Sequence, residues 1–532
     1  MTTTSETRAE QRRIAGRAGI VASGTLLSRI LGLVREQVLA ALFTRAETDV
    51  FFVAFLIPNV LRQLFAEGAV QTGVLPVLSQ VKQQRGDAAA RELFRALRGL
   101  SLLLLTLVTA CGVLAAPWLV ELFAGGYREY GEQFDRTVNL TRWVFPYILC
   151  MGTAALGSAA LNSSGRFVVA AYAPGLLNVA FIACALLLPG WFRNMGIEPL
   201  HALSVGVLLG GVLQVIAQWP SLRRIGYLTA PKLDWTQPDV REVLRRMGPT
   251  LLGFGIYYVD VVAARHLLSN QGVGAQSYFA FAQRLCDFPQ GIFVMAVQTA
   301  TLPSLSRLAA LGQTEELKET FRHGARLSLF VAIPASLLFA TLAEPLVALI
   351  FGHGQFGGDS INQTALALCA QASGIWCVSL VRQLVIVFYA TGDTRTPVLV
   401  SGLDFLAFLG AALLLRDSYG HVGISWAVSF ASLVQVGLLM ATLRRRVGAL
   451  GLANLGNSAA RVLLASAGAA IVTHYLGVWL HSSSWPPTWA TLAQLSAFAL
   501  GFFGFARAFG CAELELISAP LRSRLSAVVR RG

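Results

Sequence analysis

Long apolar runs separated by short polar segments form the dominant pattern along this chain. The runs are continuous, which is typical of membrane helices and not of the alternating strands of a membrane barrel. A hydrocarbon core of about 30 Å needs about 20 apolar residues per helix. By this measure the sequence predicts fourteen spans, near residues 20–43, 50–80, 97–124, 137–161, 167–189, 200–222, 242–268, 274–304, 327–351, 363–390, 397–415, 420–442, 459–480 and 488–506.

The second and eighth spans are too long for one straight crossing, and both contain helix-breaking residues. These residues are Pro58, Gly68, Gly73 and Pro76 in the second span, and Pro289, Gly291 and Pro303 in the eighth. Proline removes a backbone donor and crowds the preceding turn, so we expect kinks or partial unwinding in both spans.

An internal repeat links the same two spans. Residues 69–79 (AVQTGVLPVLS) and 296–306 (AVQTATLPSLS) agree at eight of eleven positions, at an offset of 227. Six spans separate the copies, so both run in the same direction. This predicts an all-α polytopic membrane protein with two six-helix lobes related by a pseudo-two-fold axis along the membrane normal, plus two extra C-terminal helices. The predicted segments are a cytoplasmic N-terminal segment (1–19), an N-terminal lobe (20–232), a C-terminal lobe (233–446), the two extra helices (447–510) and a cytoplasmic tail (511–532).

Composition supports a membrane protein and excludes several other classes. Only 13% of the residues are charged and 55% are hydrophobic, whereas soluble proteins carry about 25% charge. This excludes a cytosolic enzyme, a disordered chain and a secreted disulfide scaffold. The seven cysteines form no CxxC pair, and no phosphate-binding GxxxxGK[ST] or HExxH motif occurs. We therefore expect a transporter without a cofactor or a firm metal site.

The net charge of +14 follows from topology and does not call for a nucleic-acid partner. With the N-terminus in the cytoplasm, Lys and Arg concentrate in the cytoplasmic loops, as the positive-inside rule requires. The same rule places the C-terminal tail in the cytoplasm.

Charged residues within the spans are the candidate functional residues, because each is costly in a bilayer. Arg29, Arg35, Arg62 and Arg284 can converge on a cleft between the lobes, where excess positive charge favours an anion. Arginine matches phosphate through forked donation. The alternative is a set of local pairs: Arg29 with Glu36, which share a helical face, Arg62 with Glu67, and Arg284 with Asp287. Asp49 lies near an outer end, and Asp260 and Asp404 are candidate proton or sodium sites.

Several segments resemble the MurJ (MviN) family of lipid II flippases, in the multidrug/oligosaccharidyl-lipid/polysaccharide exporter superfamily. They include SRILGLVRE (28–36), TDVFFVAFLIPNVLRQLFAEGA (48–69), FAQRLCDFPQG (281–291) and GDTRTPV (392–398). The resemblance implies that Arg29, Arg35, Arg62 and Arg284 engage the lipid II pyrophosphate and that Asp49 is essential. It also implies that the last two helices shape a groove for the lipid tail.

The function implied is the flipping of lipid II from the cytoplasmic to the periplasmic leaflet of the bacterial inner membrane, by alternating access, for peptidoglycan synthesis. Expected partners are lipid II, membrane lipids and the cell-wall synthesis machinery. Membrane potential, Na⁺ or H⁺ would reset the carrier. Asp260 fits one sodium-site position of the family, whereas the corresponding eleventh-span positions, near Phe408 and Ala412, are apolar.

Three alternatives stay open at this stage. The first is a flippase for another polyprenyl-pyrophosphate-linked glycan, which would keep the arginines. The second is a cation-coupled drug exporter, which would need an acidic cleft. The third is a non-transporting scaffold for cell-wall synthesis, which would tolerate the loss of every cleft arginine.

Overall fold

Every secondary-structure element in the described part of the chain is a helix. The computed structural model describes residues 2–64, 70, 72–483 and 485–515, with residues 2–18, 249–257 and 452 described by their backbone alone. The α-helices are α1 (Thr2–Leu42), α2 (Arg45–Gln63), α3 (Leu75–Leu114), α4 (Ala116–Ala124), α5 (Gln133–Val144), α6 (Tyr147–Ser163), α7 (Val168–Asn194), α8 (His201–Arg224), α9 (Pro238–Ser269), α10 (Ala275–Pro289), α11 (Met295–Ala310), α12 (Thr314–Thr341), α13 (Ala343–Phe351), α14 (Gly358–Ala372), α15 (Ile375–Ala390), α16 (Arg395–Val447), α17 (Leu452–Ser482) and α18 (Pro487–Ala508).

Among the described residues, nine helices are long and apolar enough to cross a membrane. The number rises to ten if α14 and α15, which meet at a 40° bend, form one span. The prediction of an all-α polytopic membrane protein is therefore confirmed. The count of fourteen crossings stays a prediction.

Two of the long helices contain a glycine break, one in a predicted loop between spans and one at the first residue of a predicted span. α16 has 53 residues, so a straight helix would be about 80 Å long, far more than one bilayer crossing. It breaks at Gly420, where φ is +58°. α3 breaks in the same way at Gly86, where φ is +83°. Only glycine adopts this conformation at little steric cost, so one residue suffices to end one helical segment and begin the next.

The distortion predicted in the second and eighth spans is confirmed in the described residues. α10 ends at Pro289, and Gln290–Val294 form a π-helix before α11 begins. In the repeat-related span, α2 ends at Gln63, and Leu64 and residues 72–74 are π-helical. Adding the offset of 227 to Leu64 gives 291, which lies inside the second π-helix. The two copies of the repeat therefore share a wide helical turn, a feature that often occurs at functional sites.

The chain divides into two compact units. The first comprises Met1–Ser277 and His353–Gln355, and the second Tyr278–Gly352 and Phe356–Gly532. In the first unit α7 packs on α1 and α8, and α6 packs on α3 and α8. In the second, α12 packs on α15 and α17, and α17 packs on α18. The lobe boundaries at residues 232 and 446 stay predictions from the repeat.

Candidate functional site

The first charged group of the site lies on α1, where Arg35 and Glu36 pair. Arg35 Nη2 donates to Glu36 Oε1 at 2.6 Å, and Glu36 is 2% exposed. The Arg35 guanidinium also lies 5.9 Å from the ring centre of Phe55 on α2 and 5.5 Å from that of Phe181 on α7. Because an aromatic face attracts a cation, three helices hold this guanidinium in place.

The turn between α1 and α2 fixes where the next acid lies. Thr44 and Glu47 form a capping box, in which each side chain bonds the other residue's backbone amide. Arg45 Nη2 donates to the carbonyl oxygens of Ala40 and Phe43, both at 2.7 Å, and so satisfies the C-terminal end of α1. This turn places Asp49 on the second turn of α2.

Asp49 caps the N-terminus of α10. Its Oδ1 accepts from the Ser277 amide at 2.8 Å and the Ser277 hydroxyl at 2.6 Å, and its Oδ2 accepts from the Gly274 amide at 2.5 Å. The side chain is fully buried. A carboxylate is favoured here because the free amides and the helix dipole are both positive at a helix N-terminus. Sequence reasoning placed Asp49 at an outer end but did not find these partners.

The remaining residues of the first unit lie at the wide turn and on α9. Arg62 Nε donates to Asn59 Oδ1 at 2.8 Å. Its neighbour Gln63 accepts a hydrogen bond from the Tyr258 hydroxyl on α9. Asp260 is half-buried two residues further along α9. Glu67, which the sequence offers as a partner for Arg62, lies outside the described residues.

The second unit carries the other predicted residues. Arg284 and Asp287 lie three residues apart on α10 and are both exposed, and Asp404 is half-buried on α16. Arg29, Arg35 and Arg62 therefore belong to the first unit and Arg284 to the second. Their convergence on one cavity stays a prediction. Among the described side chains, no group of three His, Cys, Asp or Glu residues is placed to hold a metal ion.

A family model described as lipid II flippase MurJ matches residues 38–498. The chain is 33% identical over 436 residues to the lipid II flippase MurJ of Burkholderia cenocepacia, covering 81% of this chain and 84% of that protein. This chain belongs to the MurJ family. It is also 31% identical to the probable lipid II flippase MurJ of Bdellovibrio bacteriovorus, over 96% of this chain and 97% of that protein.

Two solved structures have a fold similar to that of this chain. A structure of lipid II flippase MurJ in an inward closed conformation aligns with a TM-score of 0.76 and 20% identity, covering 94% of this chain and 99% of that one. An inward-facing multidrug resistance MATE family transporter of the MOP superfamily aligns with a TM-score of 0.66 and 15% identity, covering 80% and 95%. At these identities the likeness shows a shared fold and nothing further.

Proposed function

We propose that this chain moves lipid II from the cytoplasmic to the periplasmic leaflet of the bacterial inner membrane. The observation that carries the proposal is the family match over residues 38–498, supported by full-length relatives that are named lipid II flippases. The protein acts as a transporter and not as an enzyme. The polyprenyl tail stays in the lipid phase while the head group crosses the membrane. Both chain termini lie in the cytoplasm, because the loops on that side carry most of the Lys and Arg.

The pyrophosphate of lipid II binds to Arg29, Arg35, Arg62 and Arg284. A central arginine costs about 2.5–3.5 kcal/mol on insertion scales, so four arginines within spans indicate a functional role. Forked guanidinium donors match phosphate oxygens in geometry and charge. Arg35 is already oriented by Glu36, Phe55 and Phe181, so it meets the pyrophosphate with little further loss of side-chain freedom.

The empty carrier returns under the membrane potential or with a Na⁺ or H⁺ ion. One elementary charge is worth about 2.3 kcal/mol per 100 mV, which is enough to bias a two-state carrier. Asp260 and Asp404 are the candidate cation sites, and both are half-buried acids within long helices. Membrane lipids surround the protein, and the cell-wall synthesis machinery receives the flipped lipid.

The runner-up is a flippase for another polyprenyl-pyrophosphate-linked glycan, because the same arginines would serve it. A cation-coupled drug exporter is disfavoured even though MATE transporters share the fold, since cationic drugs need acids where this chain has arginines. A scaffold without transport would not need arginines in its spans.

Complementation tests the proposal. A bacterium depleted of its own lipid II flippase would receive this chain, and lipid II exposed at the outer leaflet would be measured. We expect rescue by the parent and by Arg224→Ala, which alters an exposed arginine at the last turn of α8. We expect no rescue by Arg29→Ala or Arg284→Ala at equal expression.

If the parent protein inserts correctly but does not rescue the depleted bacterium, we would assign another polyprenyl-pyrophosphate-linked glycan as the substrate. Full rescue by both arginine variants would remove the pyrophosphate role assigned to these residues.

A further inference from the structure

We propose that a cavity inside the first unit binds the uncharged sugar that is joined to the pyrophosphate of the transported lipid. The cavity has a volume of about 350 Å³ and lies among α6, α7 and α8, with Val70 and Leu75 at one side. Small-molecule pockets measure about 300–1,000 Å³. The inference rests on the proposed function. It assigns a binding site to the sugar, which is a part of the head group that the arginines do not recognise.

The chemistry of the lining fits a neutral, hydroxyl-rich ligand. Ser158 and Asn162 on α6 face the same cavity as Gln214 and Gln218 on α8, and every other lining residue is apolar. Amide and hydroxyl side chains both donate and accept hydrogen bonds, as sugar hydroxyls and acetamido groups do. No charged side chain lines the cavity, so pyrophosphate has no partner in it. Alanine makes up much of the wall and leaves space for a ring.

The two glutamines are held in place, and the amide of Gln214 is weakly bonded within the protein. Each is 2% exposed. Gln218 Nε2 donates to Ser158 Oγ at 3.2 Å, and its side chain lies over Gly157, where any Cβ would overlap it. Gln214 Nε2 contacts Met151 Sδ and the Gly210 carbonyl, both at 3.4 Å. The contact with the Gly210 carbonyl is longer than an ordinary N–H···O hydrogen bond. A ligand that offers shorter bonds would therefore be favoured, because buried amides are costly when poorly bonded.

The α7 wall of the cavity lies within about two helical turns of Arg29 along α1. α7 runs beside α1: a Cβ on Gly24 would lie 2.5 Å from the Ala171 carbonyl oxygen, and Asn178 Nδ2 donates to the Ser28 carbonyl at 3.1 Å. Of the α7 residues in the cavity wall, Ala173 and Pro174 lie between these two contacts in sequence and Ala170 lies just before them. Arg29 directly follows Ser28. A pyrophosphate held by Arg29 therefore lies near the α7 wall of the cavity, within reach of a sugar that is joined to it.

Binding of two lipids to the purified full-length protein tests the assignment. The probes are lipid II and undecaprenyl pyrophosphate, which has the same anion and tail but no sugar. We expect Gln214→Met/Gln218→Met to weaken lipid II binding about tenfold, since each net hydrogen bond is worth several-fold in affinity. Binding of undecaprenyl pyrophosphate should not change. Arg29→Ala should weaken the binding of both lipids.

Two further variants separate recognition from structure. Gln383 on α15 is 1% exposed and donates to Ser328 Oγ at 3.0 Å, so Gln383→Met removes a similar bond outside this cavity. It should leave both affinities unchanged. Ala155→Leu keeps every polar group but fills part of the cavity, and it should weaken lipid II binding alone.

The sugar site would be overturned if the double glutamine variant lost the same affinity for both lipids, or lost affinity for neither. A parent that binds lipid II no more tightly than undecaprenyl pyrophosphate would overturn it too, while leaving the proposed function in place. A parent that binds neither lipid would overturn the proposed function and the sugar site with it.

Discussion

Asp49 on α2 accepts two hydrogen bonds from Ser277, one from its backbone amide at 2.8 Å and one from its hydroxyl at 2.6 Å. The two residues are 228 positions apart and both are fully buried. The Thr48 hydroxyl also lies 2.7 Å from the Ser277 hydroxyl. Thr48 and Asp49, on the first two turns of α2, thus supply a cap for the N-terminus of α10.

Asp49→Asn should destabilise the protein by about 1–3 kcal/mol, because an amide group must then face a backbone N–H in a buried site. Ser277→Ala should cost only about 1 kcal/mol, because the backbone bond to Asp49 remains. Thermal unfolding of the purified protein would measure both. Equal stability of Asp49→Asn and the parent would contradict the capping role.

Arg35→Lys should reduce transport although it keeps the charge. A lysine loses the planar contact with Phe55 and Phe181 and the forked donors that phosphate prefers. Glu36→Gln should be milder, because the guanidinium retains its aromatic contacts. Lipid II exposure in the complementation assay distinguishes the two. Undiminished transport by Arg35→Lys would show that position 35 needs only a positive charge.

Gly354→Ala should destabilise the first unit by more than about 2 kcal/mol. Gly354 has φ +58°, and a Cβ there would overlap the carbonyl oxygen of Ala41, which accepts from the Gln355 amide at 2.9 Å. Both the strained backbone and the lost bond contribute. Gly196→Ala is the matched control, since it has φ +72° and nothing within 4 Å. Gly196→Ala should lower the stability by about 1 kcal/mol, as measured by thermal unfolding. If the two variants lose the same stability, crowding at Ala41 does not contribute.

Glu513 should contribute stability that is lost in acid. It is 1% exposed and accepts from Arg326 Nε at 2.5 Å and from the Ser458 hydroxyl at 2.7 Å. Burial acts to raise the pKa of Glu513, but the hydrogen bonds from Ser458 and Arg326 outweigh it and lower the pKa below its usual value. Its contribution is therefore present above about pH 4.3, the pKa of Glu in an unfolded chain. It is lost as the pH falls through the lower folded pKa.

Comparing the stability of the parent with that of Glu513→Gln at several pH values tests the direction of this pKa shift. The parent should unfold at a higher temperature at pH 7, and the difference should shrink below about pH 4. A difference that grows in acid would mean that the folded pKa is raised.

Local sequence patterns determined a large part of this architecture. The apolar runs predicted a multi-pass helical protein, because a membrane span must satisfy its backbone within about 20 residues of its own chain. The prolines and the repeat predicted the distortions that follow Gln63 and Pro289, because a missing donor acts on its own turn. The arginines stood out because charge within an apolar run is costly wherever the helix packs.

Tertiary structure alone decided which residues meet. Helical periodicity gives the face of a residue but not the helix that packs on it, so it placed Glu36 on the face of Arg29 and found neither Phe181 near Arg35 nor Ser277 at Asp49. The cavity that Gln214 shares with Asn162 was equally hidden. It exists because α6, α7 and α8 pack with small side chains between them, and such packing joins residues that are distant in the chain.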